Sequence, residues 1–241
     1  MKFVFDFCFS IFFLVCLLFC GVAASNSGMI VHNPLFRSYR MYLSVVLLLC
    51  LFILCVSGAA RRPLKALQLK DSSWAALSLL LLAANAFKIR PVFEFVLNPA
   101  SLLLLIAASA CTRSCTGGKL MQAIALAAPA SLCMLLITRM YVSAAWDIPE
   151  PGLALALICV VFLLPLRSTP QAALFGAALA PFLLGFWEAG LDLYAFGYAI
   201  VEIGSPVAFD AQVSGMFLLG LLLSLPKRRK AGGKLKPARN Q

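Results

Sequence analysis

Charge is scarce in this chain: 12% of its 241 residues are charged, with 20 Lys and Arg against only 9 Asp and Glu. Histidine occurs once, at His32, so the usual acid and base chemistry near neutral pH has few players. Absent too are G-x-S-x-G, H-E-x-x-H, a phosphate-cradling glycine loop and the serine and lysine pairing of an intramembrane hydrolase. The expectation is a protein with no catalytic residues. The nine cysteines, at positions 8, 16, 20, 50, 55, 111, 115, 133 and 159, fall mostly inside apolar runs without paired spacing. No disulfide framework follows, and buried Cys behaves as a small hydrophobe. Cys111 and Cys115 flank Arg113 in a C-x-x-x-C arrangement, but with no second pair and a distant His32 a zinc site is not expected. No metal or cofactor is expected.

What the chain has in abundance is apolar surface, with 63% hydrophobic residues and a mean hydropathy of +0.98. That composition cannot fold into one water-soluble core with a polar coat, so the bilayer is the expected solvent. Unpaired backbone groups are costly in hydrocarbon, which leaves helices or a closed barrel, and the long Leu and Ala runs lack a barrel's alternation. The expected fold is all-α, a polytopic transmembrane helical bundle. Apolar stretches occupy 3–19, 41–60, 74–87, 95–111, 120–138, 152–166, 172–187 and 207–225. They divide the chain into a hydrophobic segment at 1–28, about seven core spans over 41–225, and a basic tail at 226–241. The first segment reads as a signal peptide, an extra span, or untranslated sequence upstream of a start at Met29 or Met41.

The charges sort by connection. Arg61, Arg62, Lys65 and Lys70 share one, Arg113 and Lys119 another, and Arg167 a third. The tail adds Lys227, Arg228, Arg229, Lys230, Lys234, Lys236 and Arg239. Alternate connections carry Glu94, Asp147, Glu150, Glu188, Asp192, Glu202 and Asp210 against Arg37, Arg40, Lys88, Arg90 and Arg139. Basic residues near span ends resist translocation. A cell-membrane protein with multiple passes and a cytoplasmic C-terminus is therefore expected, with the net charge of +11 read as a topology signal and not as a nucleic-acid patch. The partners expected are the lipid bilayer, anionic lipid at the basic tail, and a homo-oligomeric or other membrane-protein neighbour.

Local signals mark helix ends. Asn98-Pro99, Thr169-Pro170 and Ser205-Pro206 each set a capping side chain before a proline suited to the first helical position. From Pro206 the last helix should run to Leu225 with Asp210 in its first turn, near the positive end of its dipole. Pro129 and Pro181 fall inside spans, where a neighbour must satisfy the freed carbonyl. Trp74, Trp146 and Trp187 fall at expected interfaces. Segment 74–87 is short, rising about 21 Å against roughly 30 Å of hydrocarbon. Local thinning and a snorkelling Lys88 would accommodate it, as would a re-entrant hairpin over 74–111.

Four polar residues are candidates for function: Asn85, Glu188, Asp192 and Asp210. Asn85 lies within a span and must find a partner, by helix-to-helix hydrogen bonding or along a transport path. Glu188 and Asp192 share a helix face if the helix continues past Trp187, where they could hold a cation together with Glu202 and Asp210 or serve as solvated acids. Below the headgroups a carboxylate such as Glu188 costs on the order of 3 kcal/mol unless paired or protonated. Gln122 and Asn98 sit near interfaces and need no special role, while Gly176, Ala177, Ala180, Gly215 and Gly220 offer surfaces for close helix approach.

In span order, and in Gly204-Ser205-Pro206-Val207-Ala208-Phe209-Asp210 before the last helix, the chain from Pro34 to Arg229 resembles the YphA-like bacterial membrane proteins. It departs from them in lacking aromatic residues directly after Asp210. The resemblance implies a cytoplasmic-membrane protein of uncharacterised role with no catalytic residues to carry over, and it makes the run before Pro34 extra. The functional expectation is a non-enzymatic scaffold, envelope or assembly role. The alternative is a small transporter or channel using Asn85 and the Glu188 and Asp192 pair.

Overall fold

The structure, a computed structural model, describes residues 43–61, 64, 71–92, 94–144 and 151–224. Outside the described residues lie the segment 1–28, His32, Arg37, Arg40, Arg62, Lys65, Lys70, Trp146, Asp147, Glu150 and the tail 226–241. The described chain runs α1 (Leu43–Val56), α2 (Asp71–Asn85), β1 (Ile89–Val92), β2 (Phe95–Leu97), α3 (Pro99–Cys111), α4 (Gly117–Ala144), α5 (Pro151–Leu163), α6 (Pro170–Phe196), β3 (Val201–Ile203) and α7 (Pro206–Ser224). Short 3-10 turns at Thr112–Ser114 and Leu164–Ser168 extend α3 and α5.

The bundle is mostly helical, and four of its helices are long and apolar enough to cross a membrane: Gly117–Met140, Pro151–Ser168, Pro170–Phe196 and Pro206–Ser224. Two expectations are corrected. Seven full core spans are not found among the described residues, where α1, α2 and α3 hold 14, 15 and 13 residues and rise only about 20 Å each. Nor is the chain all-α. The apolar stretch that begins at Phe95 opens as a strand, and the helix starts only at Pro99, after a proline-preceding residue held in extended backbone. The strands form one sheet in the order β1-β2-β3. β1 and β2 are antiparallel, and β2 and β3 run parallel in the register Phe95↔Val201, Val96↔Glu202, Leu97↔Ile203. Strands of three or four residues carry too little periodicity to be read from sequence.

That sheet ties the α2–α3 connection to the α6–α7 connection and so fixes one end of the bundle. The starts of α1, α5 and α7 meet there, since Ser44 bonds Asp210 and Gly152 packs on Asp210. Glu94, Glu188, Asp192, Glu202 and Asp210 thus gather at the sheet end with Lys88, Arg90 and Arg139. Arg61, Arg113, Lys119 and Arg167 lie at the opposite end, in the company of Asp71. The alternation of charge along the sequence becomes a separation in space.

α7 is the axis. Every residue from Ala208 to Met216 is buried, more than two helical turns without a solvent or lipid face, because α1, α3, α5 and α6 pack around it. Lipid tails are as apolar as Leu, so such packing rests on close approach of small residues and on hydrogen bonds. α6 supplies Ala172, Ala173, Gly176, Ala177 and Ala180, all buried, with Gly176 against Leu163. Pro181 cannot donate to Ala177, and the carbonyl it frees accepts from Cys159 Sγ at 3.8 Å. Gly215 has more room, since an added Cβ would meet only Cys159 and Ala156 at 3.6 Å or beyond. Gly215→Ala is therefore expected to stabilise the bundle by about 0.5 kcal/mol through helix propensity, read as a later midpoint in an SDS titration of helicity. A loss above about 1 kcal/mol would mean that α5 and α7 meet more closely than described.

Candidate functional site

Among the described residues the sheet end carries the densest set of buried polar side chains. It begins with Asn98, which the Pro99 ring leaves as the natural helix cap. Its Oδ1 accepts from Ala100 N at 3.0 Å, its Nδ2 donates to Asn85 Oδ1 at 2.9 Å, and its backbone N–H donates to Ile203 O at 2.9 Å. One residue thus caps α3, holds the end of α2 and joins the sheet. Asn85 finds its partner across the α2–α3 gap, and Asn98, expected to need no role, is the hub.

One turn into α3, Ser101 Oγ donates to Gln212 Oε1 at 2.8 Å, while Gln212 Nε2 donates to Ala178 O at 2.8 Å and to Ser101 O at 3.3 Å. Gln212 is 0% exposed. Its amide connects α3, α6 and α7, and it uses the carbonyl next to the one that Pro181 frees. Sequence reasoning missed both Gln212 and Ser101. The available signal was an amide in the middle of the apolar run 207–225, which like Asn85 must be paired inside the bundle.

Asp210 departs from its expected placement. It is the fifth residue of α7, beyond the first turn, and it serves another helix: Oδ1 accepts from Ser44 N at 2.9 Å. Ser44 is the second residue of α1, so the carboxylate caps a helix 166 residues away in sequence. The amides at a helix N-terminus lack intrahelical partners and carry partial positive charge, which is how a carboxylate this buried is accommodated.

Glycine sets the clearances. At φ +70°, Gly204 turns from β3 into α7, and a Cβ there would stand 2.5 Å from Ser101 Cβ and 3.0 Å from Asn98 Cβ. One at Gly152 would stand 2.7 Å from Asp210 Cβ, and one at Gly185 2.5 Å from Glu202 O. Real Cβ contacts are not that short, so α5, α6 and the β3–α7 turn approach the cluster with no space for a methyl group. Of these three, only Gly204 drew notice in the sequence.

Glu188 and Asp192 form a separate group. α6 does continue past Trp187, so the two lie one turn apart on its surface, but the cation beside them is a side chain. Arg139 Nη2 of α4 pairs with Asp192 and also donates to the Glu188 carbonyl. The half-buried Glu188 carboxylate has no hydrogen-bond or ion-pair partner among the described residues, though Arg139, Asp192 and Glu202 are within electrostatic reach. Glu202 pairs with Lys88 at 2.8 Å, so the four acids do not converge on one point. Trp187 turns its indole N–H inward to Ser131 Oγ at 2.9 Å. Of the three expected caps, Asn98 and Ser205 bond their helices, whereas Thr169 Oγ1 turns back to Leu166 O.

Arg139 and Asp192 are about one third exposed, at 38% and 34%, so solvent screens them. A double-mutant cycle over Arg139→Ala and Asp192→Ala is expected to give a coupling of about 0.5 kcal/mol. A coupling above about 2 kcal/mol would place the pair in hydrocarbon.

The chain matches no family model, no curated protein and no solved structure.

Proposed function

We propose that this chain is a multi-pass protein of the cytoplasmic membrane with a scaffold or assembly role and no catalytic one. One observation carries the proposal. At the sheet end the side chains of Asn98, Ser101, Asp210 and Gln212 are spent on one another, on Asn85 and on the backbone, across glycine contacts too tight for a methyl group. A path for a solvated ion or metabolite needs room and unspent ligands at its polar residues; a rigid body that presents outer surfaces to a partner needs neither. The proposal takes in the YphA-like resemblance, whose Gly204 and Asp210 stand at the start of the axial helix. It also takes in a second copy or another membrane protein as neighbour, with anionic lipid at the basic tail.

The C-terminus is cytoplasmic in this reading, because α7 leads to the end of the bundle that Arg61, Arg113, Lys119 and Arg167 occupy. Reporters fused after Lys70 and at Gln241 are expected to report the same cytoplasmic compartment, and a split between compartments would overturn the topology. For the role itself, purification from native membranes is expected to return a reproducible membrane-protein partner. The unpartnered Glu188 carboxylate favours the second reading, a small transporter or channel using Asn85, Glu188 and Asp192. Cation flux in proteoliposomes that Glu188→Gln abolishes would replace the scaffold with that reading.

A further inference from the structure

The apolar surface of the bundle is uneven in height. On one flank α1, α2 and α3 pack in sequence, α2 between the other two; their described helices rise about 20 Å, and α3 reaches about 25 Å with its 3-10 turn. Described contacts mark both ends of α3 and the C-terminal ends of α1 and α2, and polar residues bound the apolar run of α2 at its start. The described part of α1 opens with Asp210 taking the Ser44 amide, and the helix ends at Gly58, φ +73°, with Ala60 N–H folded back onto Leu54 O. α3 begins at the Asn98 cap and closes in the turn where Cys115 N–H meets Thr112 O. α2 stops at Asn85, held by Asn98, with Lys88 just beyond and exposed Ser72 and Ser73 at its other end. Between those limits Leu49, Ile53, Leu80 and Ile106 are exposed.

The other flank is taller. α4 and α6 hold 28 and 27 residues and rise about 40 Å, the thickness of a bilayer with its headgroups. α6 passes the sheet at Gly185, against Glu202, and continues to Phe196. Its last turns and the following loop expose Trp187, Tyr194, Phe196 and Tyr198, with Tyr194 91% exposed. The Trp and Tyr rings at that height suit the headgroup layer. The tall flank therefore matches an ordinary membrane, whereas the short flank falls about 5 to 10 Å below a hydrocarbon core of roughly 30 Å. Tilting the body lowers every helix together and enlarges that deficit.

Resting on the membrane reading above, we infer that the bilayer is thinned along α1–α3 and that the chain selects lipid with short acyl chains for this flank. A short apolar surface either draws the bilayer down to its own height or leaves its charged ends in hydrocarbon, and the first is the less costly. The protein is a wedge in the membrane plane, and its preferred surroundings are thin bilayers.

The test is reconstitution of the full chain into vesicles of dimyristoleoyl, dioleoyl or dierucoyl phosphatidylcholine, with the thermal midpoint of helical circular dichroism as readout. The midpoint is expected to be highest in the thinnest lipid and to fall stepwise with chain length. The double variant Ser72→Leu and Ser73→Leu lengthens the apolar run of α2 by two residues and is expected to move the optimum towards dioleoyl lipid. Equal midpoints in the three lipids, or a maximum in dierucoyl lipid, would overturn the inference. So would cross-linked dimers that increase with chain length while the midpoint stays constant, since a second copy would then cover the short flank. Release of the protein from native membranes by alkaline carbonate is a different failure and strikes the membrane reading itself.

Discussion

Gly204→Ala is expected to destabilise the protein by about 3 kcal/mol, the largest effect of any single methyl group at the sheet end. Two costs combine there. A side chain at φ +70° pays about 1 kcal/mol for left-handed backbone, and a Cβ 2.5 Å from Ser101 Cβ must push α3 away from the β3–α7 turn, an overpacking cost of about 2 kcal/mol. Gly197 separates the two, because it has φ +74° and nothing within 4 Å of its notional Cβ. Gly197→Ala should therefore show the backbone cost alone, about 1 kcal/mol. The readout is the midpoint of helix loss in SDS titrations of the two variants against the parent protein. Equal losses would mean that Ser101 and Asn98 give way freely and that the turn is not clamped on α3.

Asp210→Ala is expected to cost about 2 kcal/mol and to act at a distance, on α1 instead of on the helix that carries it. Without the carboxylate the Ser44 amide, in a residue 0% exposed, has no acceptor, and a buried unsatisfied donor costs about 1–3 kcal/mol. The loss of a helix cap is of the same order, about 1 kcal/mol. Asp210→Asn keeps an oxygen for that amide and gives up only the attraction of a charge to the α1 N-terminus, so it should cost about 0.5 kcal/mol. Hydrogen exchange gives the sharper readout: in Asp210→Ala the first turn of α1 should exchange roughly 30-fold faster while the rest of α7 stays protected. If α7 opened instead and α1 did not, the carboxylate would be serving its own helix, as the sequence suggested.

Cys159 and Pro181 show how one local event propagates into packing. A proline inside α6 leaves the Ala177 carbonyl free, and its neighbours in the bundle respond with the Cys159 thiol and, one residue on, the Gln212 amide. The sequence announces that a carbonyl will need a donor, because the missing N–H is a property of proline alone. Which side chain answers depends on residues 18 and 34 positions away.

The same division holds across the molecule. The apolar class, the helix starts at Pro99, Pro170 and Pro206, and the sorting of acids and bases by connection were legible in the sequence. Each rests on a residue's own chemistry or on its near neighbours: a locked φ, a side-chain cap, the cost of a charge in hydrocarbon. Asn85 was legible as a polar group in need of a partner, but the partner was not, because Asn98 reads as an ordinary cap until α2 and α3 are side by side. Asp210, expected in the first turn of α7, lies one residue beyond it and serves another helix, and Gln212, Ser101, Gly152 and Gly185 passed unremarked. Tertiary structure alone decided these, along with the three-stranded sheet. A capping bond across 166 residues, a clearance too small for a methyl group and a three-residue strand are all set by which surfaces meet, and no periodicity along the chain encodes that meeting.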